Sequence, residues 1–329
     1  MRILQLLGRS TGGIGSHVGR LRDDLRALGH EVVLVTDGST ADHFGWSDAE
    51  RLWPFGSARA LVRAPLTWHL VMRRASTVDV VHAHGQQAAI VAAVAVLRAR
   101  PRPRLVVTLH NELPSHGLGA RLVRWALRRA DLVTGASEDL VGLARRLGAR
   151  RIDLSTVTSP RLAALLAAPN PGVDEPAQPV GHGNTSNRGS RSGLLESAGI
   201  DAAAERPLVL TVSRVAPQKD LDTLVAAAAI ATEPASWVVV GGGDAQLRRR
   251  LESELSGIPL TFVGERSDVE EWLRAATLLV LTSRWEARAL VVQEAMAAGV
   301  PVVVPRVGGL PGLVGDAGVL VPPGDPAAT

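Results

Sequence analysis

The chain has 329 residues, about twice what one compact domain needs, so two domains with large cores are expected. Hydrophobic residues make up 46% and charged residues 21%, a globular balance that excludes a disordered chain. The net charge of +4 is too small an excess to argue for a nucleic-acid partner, and the absence of cysteine removes disulfides, cysteine–zinc sites and thiol nucleophiles.

Residues 1–7 carry too short an apolar stretch for a secretory leader before Gly8, Ser10, Gly12 and Gly13 interrupt it. The longest uncharged apolar run, residues 88–97, falls well short of the roughly 18 residues that span a bilayer. A cytoplasmic protein, at most peripheral at the inner face of a membrane, is the expectation.

Buried strands are predicted at 3–7, 31–36, 79–82, 105–109 and 131–134, with helical spacing between them. Strand and helix alternating in this way give a parallel sheet covered on both faces. Residues 1–165 are therefore read as an N-terminal Rossmann-like domain. Between 166 and 205 the chain turns to proline, glycine, serine and asparagine with few large apolar residues, which predicts a flexible linker or insertion. The alternation restarts with strands at 208–212, 237–240, 260–263, 278–281 and 300–304, so residues 206–329 form a second doubly wound domain. The Pro-rich end follows a strand without the closing helix such a domain usually adds, and the domain is read as truncated.

Three stretches carry chemistry. Gly12, Gly13 and Gly15 lie between the first strand and a helix, where backbone amides can approach an anion or simply make a tight turn. Lys219 is the only lysine beside 35 arginines, five residues after Arg214 at a strand-to-helix turn. A compact ammonium in a chain that otherwise uses arginine suggests a point charge for a diphosphate, the plainer reading being an exposed helix-start lysine. Glu286 is predicted at the edge of the 278–281 strand, and Glu294 on the following helix among Val291, Val292, Ala295 and Met296, so its carboxylate is drawn inward and needs partners such as ligand hydroxyls.

At these residues the chain resembles family four of the retaining glycosyltransferases, in their bacterial form. The resemblance rests on the Gly12-Gly13 loop, the Asp79-Val80-Val81-His82-Ala83-His84 run, Thr108-Leu109-His110, Ala130-Asp131 with Ser137, Arg214 with Lys219, Gly241-Gly242-Gly243, and Glu286 with Glu294. It implies the GT-B fold of two facing Rossmann-like domains. A nucleotide-diphosphate sugar would be held mainly by the second domain, with an unidentified glycan, lipid or small molecule as acceptor on the first. It also implies catalytic roles for His110, Glu286, Arg214 and Lys219. Arg214 and Lys219 would neutralise the diphosphate, Glu294 would accept from ribose hydroxyls, Glu286 would hold sugar hydroxyls, and His110 would lie near the donor sugar. Gly12, Gly13, Gly15, Gly242, Arg288, Ala289 and Leu290 complete the implied binding set. No cofactor and no obligatory metal are implied.

Where the family has Glu-Gly-Phe-Gly, this chain has Glu286-Ala287-Arg288-Ala289, which restricts backbone approach to the phosphates and adds a cation. That departure, with the missing closing helix, motivates one alternative, a sugar-nucleotide-binding protein without turnover; a second is a sugar-nucleotide epimerase on the same fold. Phe44, Trp46, Trp53 and Phe55 are candidates for stacking on an acceptor or for anchoring a long loop. Arg121, Arg124 and Arg128, with Leu118, Leu122 and Trp125, form either a solvated helix or a face for an anionic membrane.

Overall fold

Every β-branched stretch expected as a strand forms one, to within two residues at either end. The computed structural model describes residues 1–55, 58–155, 157–167, 185–201 and 206–329, and divides into two units, Met1–Pro160 and Arg161–Thr329. In the first unit β1 (Arg2–Leu7), β2 (Glu31–Val35), β3 (Val80–His84), β4 (Arg104–Leu109), β5 (Leu132–Gly135) and β6 (Ile152–Leu154) pair in parallel in the order β2-β1-β3-β4-β5-β6. β6 was not expected. It is a three-residue edge strand, half-buried to exposed, and leaves no apolar run to read.

In the second unit β7 (Leu208–Val212), β8 (Ser236–Val240), β9 (Leu260–Gly264), β10 (Leu278–Val280), β11 (Val302–Pro305) and β12 (Val319–Val321) form an all-parallel sheet in the order β12-β11-β10-β7-β8-β9. Successive residues on a strand point to opposite faces, and here both faces are covered. Leu208, Leu210, Val238, Val240, Leu279, Val302 and Val304 pack into one core. Val209, Trp237, Val239, Leu260, Phe262 and Val280 pack into the other.

Within the stretch expected as a linker, 168–184 and 202–205 lie outside the described residues. The described parts are helical. The helix Leu162–Ala167 packs on the helix Leu290–Ala297, and the helix Thr185–Ser197 buries Leu194 and Leu195 in the second core beside the helix Val269–Ala275. Leucines at 162, 165, 194 and 195 supply the apolar face that the intervening proline- and glycine-rich sequence lacks.

Each sheet has one topological switch point, where neighbouring strands connect in opposite directions. It lies between β1 and β3 in the first unit and between β7 and β10 in the second. Ligands of open α/β sheets bind outside the carboxyl ends of the strands at such points.

Candidate functional site

In the first unit the helix Gly13–Ala27 begins directly behind β1, capped by Gly12 in an extended conformation. The Ser10 hydroxyl accepts the Gly15 amide at 3.1 Å, and Thr40 accepts the Ser10 amide at 2.8 Å, so this loop is internally bonded. Gly15 lies against Phe44, whose ring would stand 2.2 Å from a Cβ placed there. Packing against this ring therefore demands glycine at that position. Phe44 in turn stacks on Trp46 at 4.7 Å. Trp46 and Trp53 are buried, 7% and 6% exposed, which, of the two readings of these aromatics, favours loop anchoring over stacking on an acceptor. They anchor the segment after β2 against Gly19 and Gly8, where the lack of side chains lets indoles settle.

The carboxyl ends of β3 and β4 carry a buried polar layer. His82 and His84 alternate with Ala83 on β3 and so share a face, and His110 follows β4 directly. His17, from the Gly13 helix, covers them. His84 Nδ1 and His110 Nε2 are 3.3 Å apart, and a chain of 2.8 Å bonds runs from His82 Nε2 to Thr108 and Thr134. Burial, reinforced by neighbouring imidazoles, pushes His82 down to about 4 and His110 down to about 3. Burial likewise lowers His17, and burial followed by His82, His110 and His17 holds His84 well below its ordinary value. His110 is thus a neutral imidazole at pH 7, able to give one hydrogen bond and accept one.

In the second unit the loops after β7 and β10, on either side of the switch point, are locked together. Lys219, at the end of a 3-10 turn over Pro217–Lys219, pairs its ammonium with Glu286 Oε1, which also accepts the Ser283 hydroxyl at 2.7 Å. Thr282 donates to the Lys219 carbonyl at 3.1 Å, and Gln218 donates to the Trp285 carbonyl at 2.7 Å. Arg284 reaches Asp220 at 3.0 Å, and Asp220 also accepts from Thr223. Gly308, at φ +51°, backs this loop so closely that a Cβ would lie 2.0 Å from the Glu286 carbonyl oxygen. The adjacent Gly309 amide donates to that same carbonyl at 2.8 Å.

Lys219 and Glu286 are thus brought into direct contact. Arg214 lies exposed on the same loop as Lys219, between Ser213 and Val215, which abut Gly241 and Gly243. Gly242 accepts the Val215 amide at 2.8 Å and so packs beside it. Arg288 is half-buried with its Nε lacking a partner among the described residues, just before Ala289 caps the helix Leu290–Ala297. Glu294 is drawn inward as its apolar neighbours suggested, at 2% exposure, and Arg161 bonds both its oxygens at 3.3 and 3.4 Å. The sequence reading assigned no role to Ser283 and Arg284, which open the Glu286 stretch, and did not mark Arg161 at all. Ser283 and Arg284 adjoin Glu286 and were open to notice, whereas Arg161, 133 positions before Glu294, left no local signal.

The helix Gly117–Leu127 exposes Leu118, Leu122, Arg121 and Arg124, while Arg129 stacks over Trp125 at 4.3 Å. Among the described residues no helix is long and apolar enough to cross a membrane.

Residues 11–165 match the family described as Glycosyltransferase Family 4, and residues 206–329 match Glycosyl transferases group 1. Sulfoquinovosyl transferase SQD2 of Arabidopsis thaliana is 25% identical over 92% of this chain and 59% of its own length. The chain therefore spans less than two thirds of that relative. The N-acetyl-alpha-D-glucosaminyl L-malate synthase of Bacillus anthracis is 29% identical over 96% of this chain and 82% of its own. Among solved structures, Anabaena Alr3699/HepE in complex with UDP and glucose superposes with a TM-score of 0.76 at 23% identity, over all of this chain and 87% of that one. That likeness establishes the GT-B fold.

Proposed function

With one unit matching Glycosyltransferase Family 4 and the other the group 1 transferases, the chain is of the family-four glycosyltransferase type, and we propose that it moves a sugar from a nucleoside-diphosphate donor to an acceptor with retention at the anomeric carbon. The observation that carries this reading is the Lys219–Glu286 pair at the switch point of the second sheet, with Arg214 exposed beside it.

An ammonium has three donors, so Lys219 can keep Glu286 and still turn toward a diphosphate. Arg214 and Arg288 add cations on the two flanking loops. Departure of a nucleoside diphosphate develops negative charge on its phosphates, and cations already fixed there lower the barrier without reorganising. Glu286 spends Oε1 on Lys219 and Ser283, which leaves Oε2 for sugar hydroxyls. Glu294, held by Arg161, is assigned to ribose hydroxyls, and the amides of Ala289 and Leu290 at a helix start to the phosphates. His110 is assigned to sugar recognition, and the Gly12, Gly13 and Gly15 loop, with the rest of the first unit, to the acceptor. Retention then follows if the acceptor attacks on the leaving-group face and a phosphate oxygen takes its proton, which needs no protein base.

One relative is named a sulfoquinovosyl transferase and another an N-acetyl-alpha-D-glucosaminyl L-malate synthase, which favours transfer over epimerisation or binding without turnover. The test is a screen of nucleotide sugars by thermal shift, followed by transfer assays with proton NMR of the product anomer. A donor at about 100 times its dissociation constant should stabilise the protein by roughly 2.7 kcal/mol. Release of an epimerised free sugar, or tight binding with neither transfer nor hydrolysis across a broad acceptor panel, would replace this reading with an alternative.

A further inference from the structure

The histidine layer of the first unit holds more than sugar recognition asks of it. His17, His84 and His110 come from a helix, the end of β3 and the residue after β4, and their facing nitrogens all lie within 4.8 Å of one another. Their ring centroids form a triangle of 5.5, 5.6 and 6.0 Å. Three imidazoles on a tetrahedral zinc, with Zn–N of about 2.0–2.1 Å, place their nitrogens about 3.4 Å apart and their centroids about 5.2 Å apart. The 3.3 Å between His84 Nδ1 and His110 Nε2 already has that spacing. The remaining nitrogens, within 4.8 Å, have at most about 1.4 Å to close, shared between two rings by χ adjustment.

Two further features point the same way. Without a cation, one nitrogen of the His84–His110 contact must carry the proton that the other accepts; a metal replaces that proton and is shared by both. Nε2 of His84 and both polar atoms of Gln5, which is paired in register with His82, are buried without partners among the described residues. A His84 that ligates through Nδ1 keeps Nε2 outside the metal's reach, so these orphans mark room for ordered water as an outer hydrogen-bond partner of the ligand, not the metal itself.

We propose that His17, His84 and His110 form a transition-metal site of the zinc class, with the fourth position open to water or a small anion. An all-nitrogen donor set suits Zn²⁺, Co²⁺, Ni²⁺ or Cu²⁺ and discriminates against Mg²⁺ and Ca²⁺, which take oxygen ligands. The metal ties the Gly13 helix to the ends of β3 and β4 and stabilises the first unit. This inference is independent of donor binding by the second unit, and its readouts involve no transfer.

The experiment titrates Zn²⁺, and then Co²⁺ as a visible probe, into the full chain lacking any histidine tag and stripped beforehand with a chelator. One Co²⁺ per chain with the intense visible absorption of a four-coordinate site is expected, together with a higher unfolding temperature. Affinity should fall in His17→Gln and in His84→Gln by more than the roughly 10–100-fold that loss of an outer hydrogen-bond partner costs. His116→Gln, at an exposed position, should bind as the parent does. X-ray absorption of the loaded parent chain should show three imidazoles, which decides the matter even if a variant misfolds. Absence of saturable binding, unchanged affinity in the His17 and His84 variants, or fewer than three imidazole ligands would overturn the site.

Discussion

Replacing Lys219 by alanine should do two separable things. Its ammonium and the Glu286 carboxylate are only 16% and 10% exposed, so water screens the pair little. Breaking a buried pair from one side costs about 3–5 kcal/mol, because the remaining charge is stranded. Here the 2.7 Å bond from Ser283 and the partial exposure soften that, so the loss of stability should be about 2–3 kcal/mol. For a unit of this size that corresponds to a fall of roughly 5–10 °C in melting temperature. Lys219→Ala, Glu286→Ala and the double variant, compared by urea unfolding, should show a coupling of about 1.5–3 kcal/mol. Donor affinity should fall by about one to two decades in Lys219→Ala, and by two to four when Arg214→Ala is added. Lys219→Arg separates the roles: it keeps the charge and recovers part of the stability, yet its planar fork cannot serve Glu286 and a phosphate from the same point, so donor affinity stays at least tenfold down. Additivity of the two single variants to within about 0.5 kcal/mol, or parental donor affinity in Lys219→Ala, would refute the reasoning.

Acid should weaken the first unit specifically. The folded pKa values of His82, about 4, and His110, about 3, lie below the unfolded value of 6.5, so the unfolded chain binds protons that the folded one refuses. Stability is full above pH 6.5 and falls as the pH drops toward 4, by on the order of 2 kcal/mol per histidine at pH 5, and equal urea midpoints at pH 7.5 and 5 in chelator would contradict this. Gly308→Ala should displace the Glu286 carbonyl and reduce donor binding at least tenfold; a crystal structure of the variant with an unmoved loop would count against it. Chelation with EDTA should leave affinity for the free nucleoside diphosphate unchanged, because arginine and lysine neutralise it, and rescue of a lost affinity by Mg²⁺ or Mn²⁺ would show otherwise. Co-sedimentation with anionic vesicles at low salt, abolished by Arg121→Glu with Arg124→Glu, is expected if the Gly117 helix meets a membrane, and no sedimentation removes that idea.

The two sheets were legible in the sequence because a strand buried on both faces writes itself as an unbroken run of Val, Leu and Ile, as at 208–210 and 302–304. Glycines and charged residues directly after those runs marked the loops at the strands' carboxyl ends, which is why Lys219 and Glu286 could be singled out before their contact was known. The edge strand β6 escaped because three half-exposed residues carry no periodic signal. What only the tertiary structure decided is who partners whom. Arg161 on Glu294 and Lys219 on Glu286 join residues 133 and 67 positions apart, and His17, His84 and His110 converge from a helix, a strand end and the residue after another strand. Local sequence records propensity and burial, which act over a turn or a strand. The pairing of charges and imidazoles is fixed instead by strand order and by the switch points it creates, and that order is a property of the packed chain.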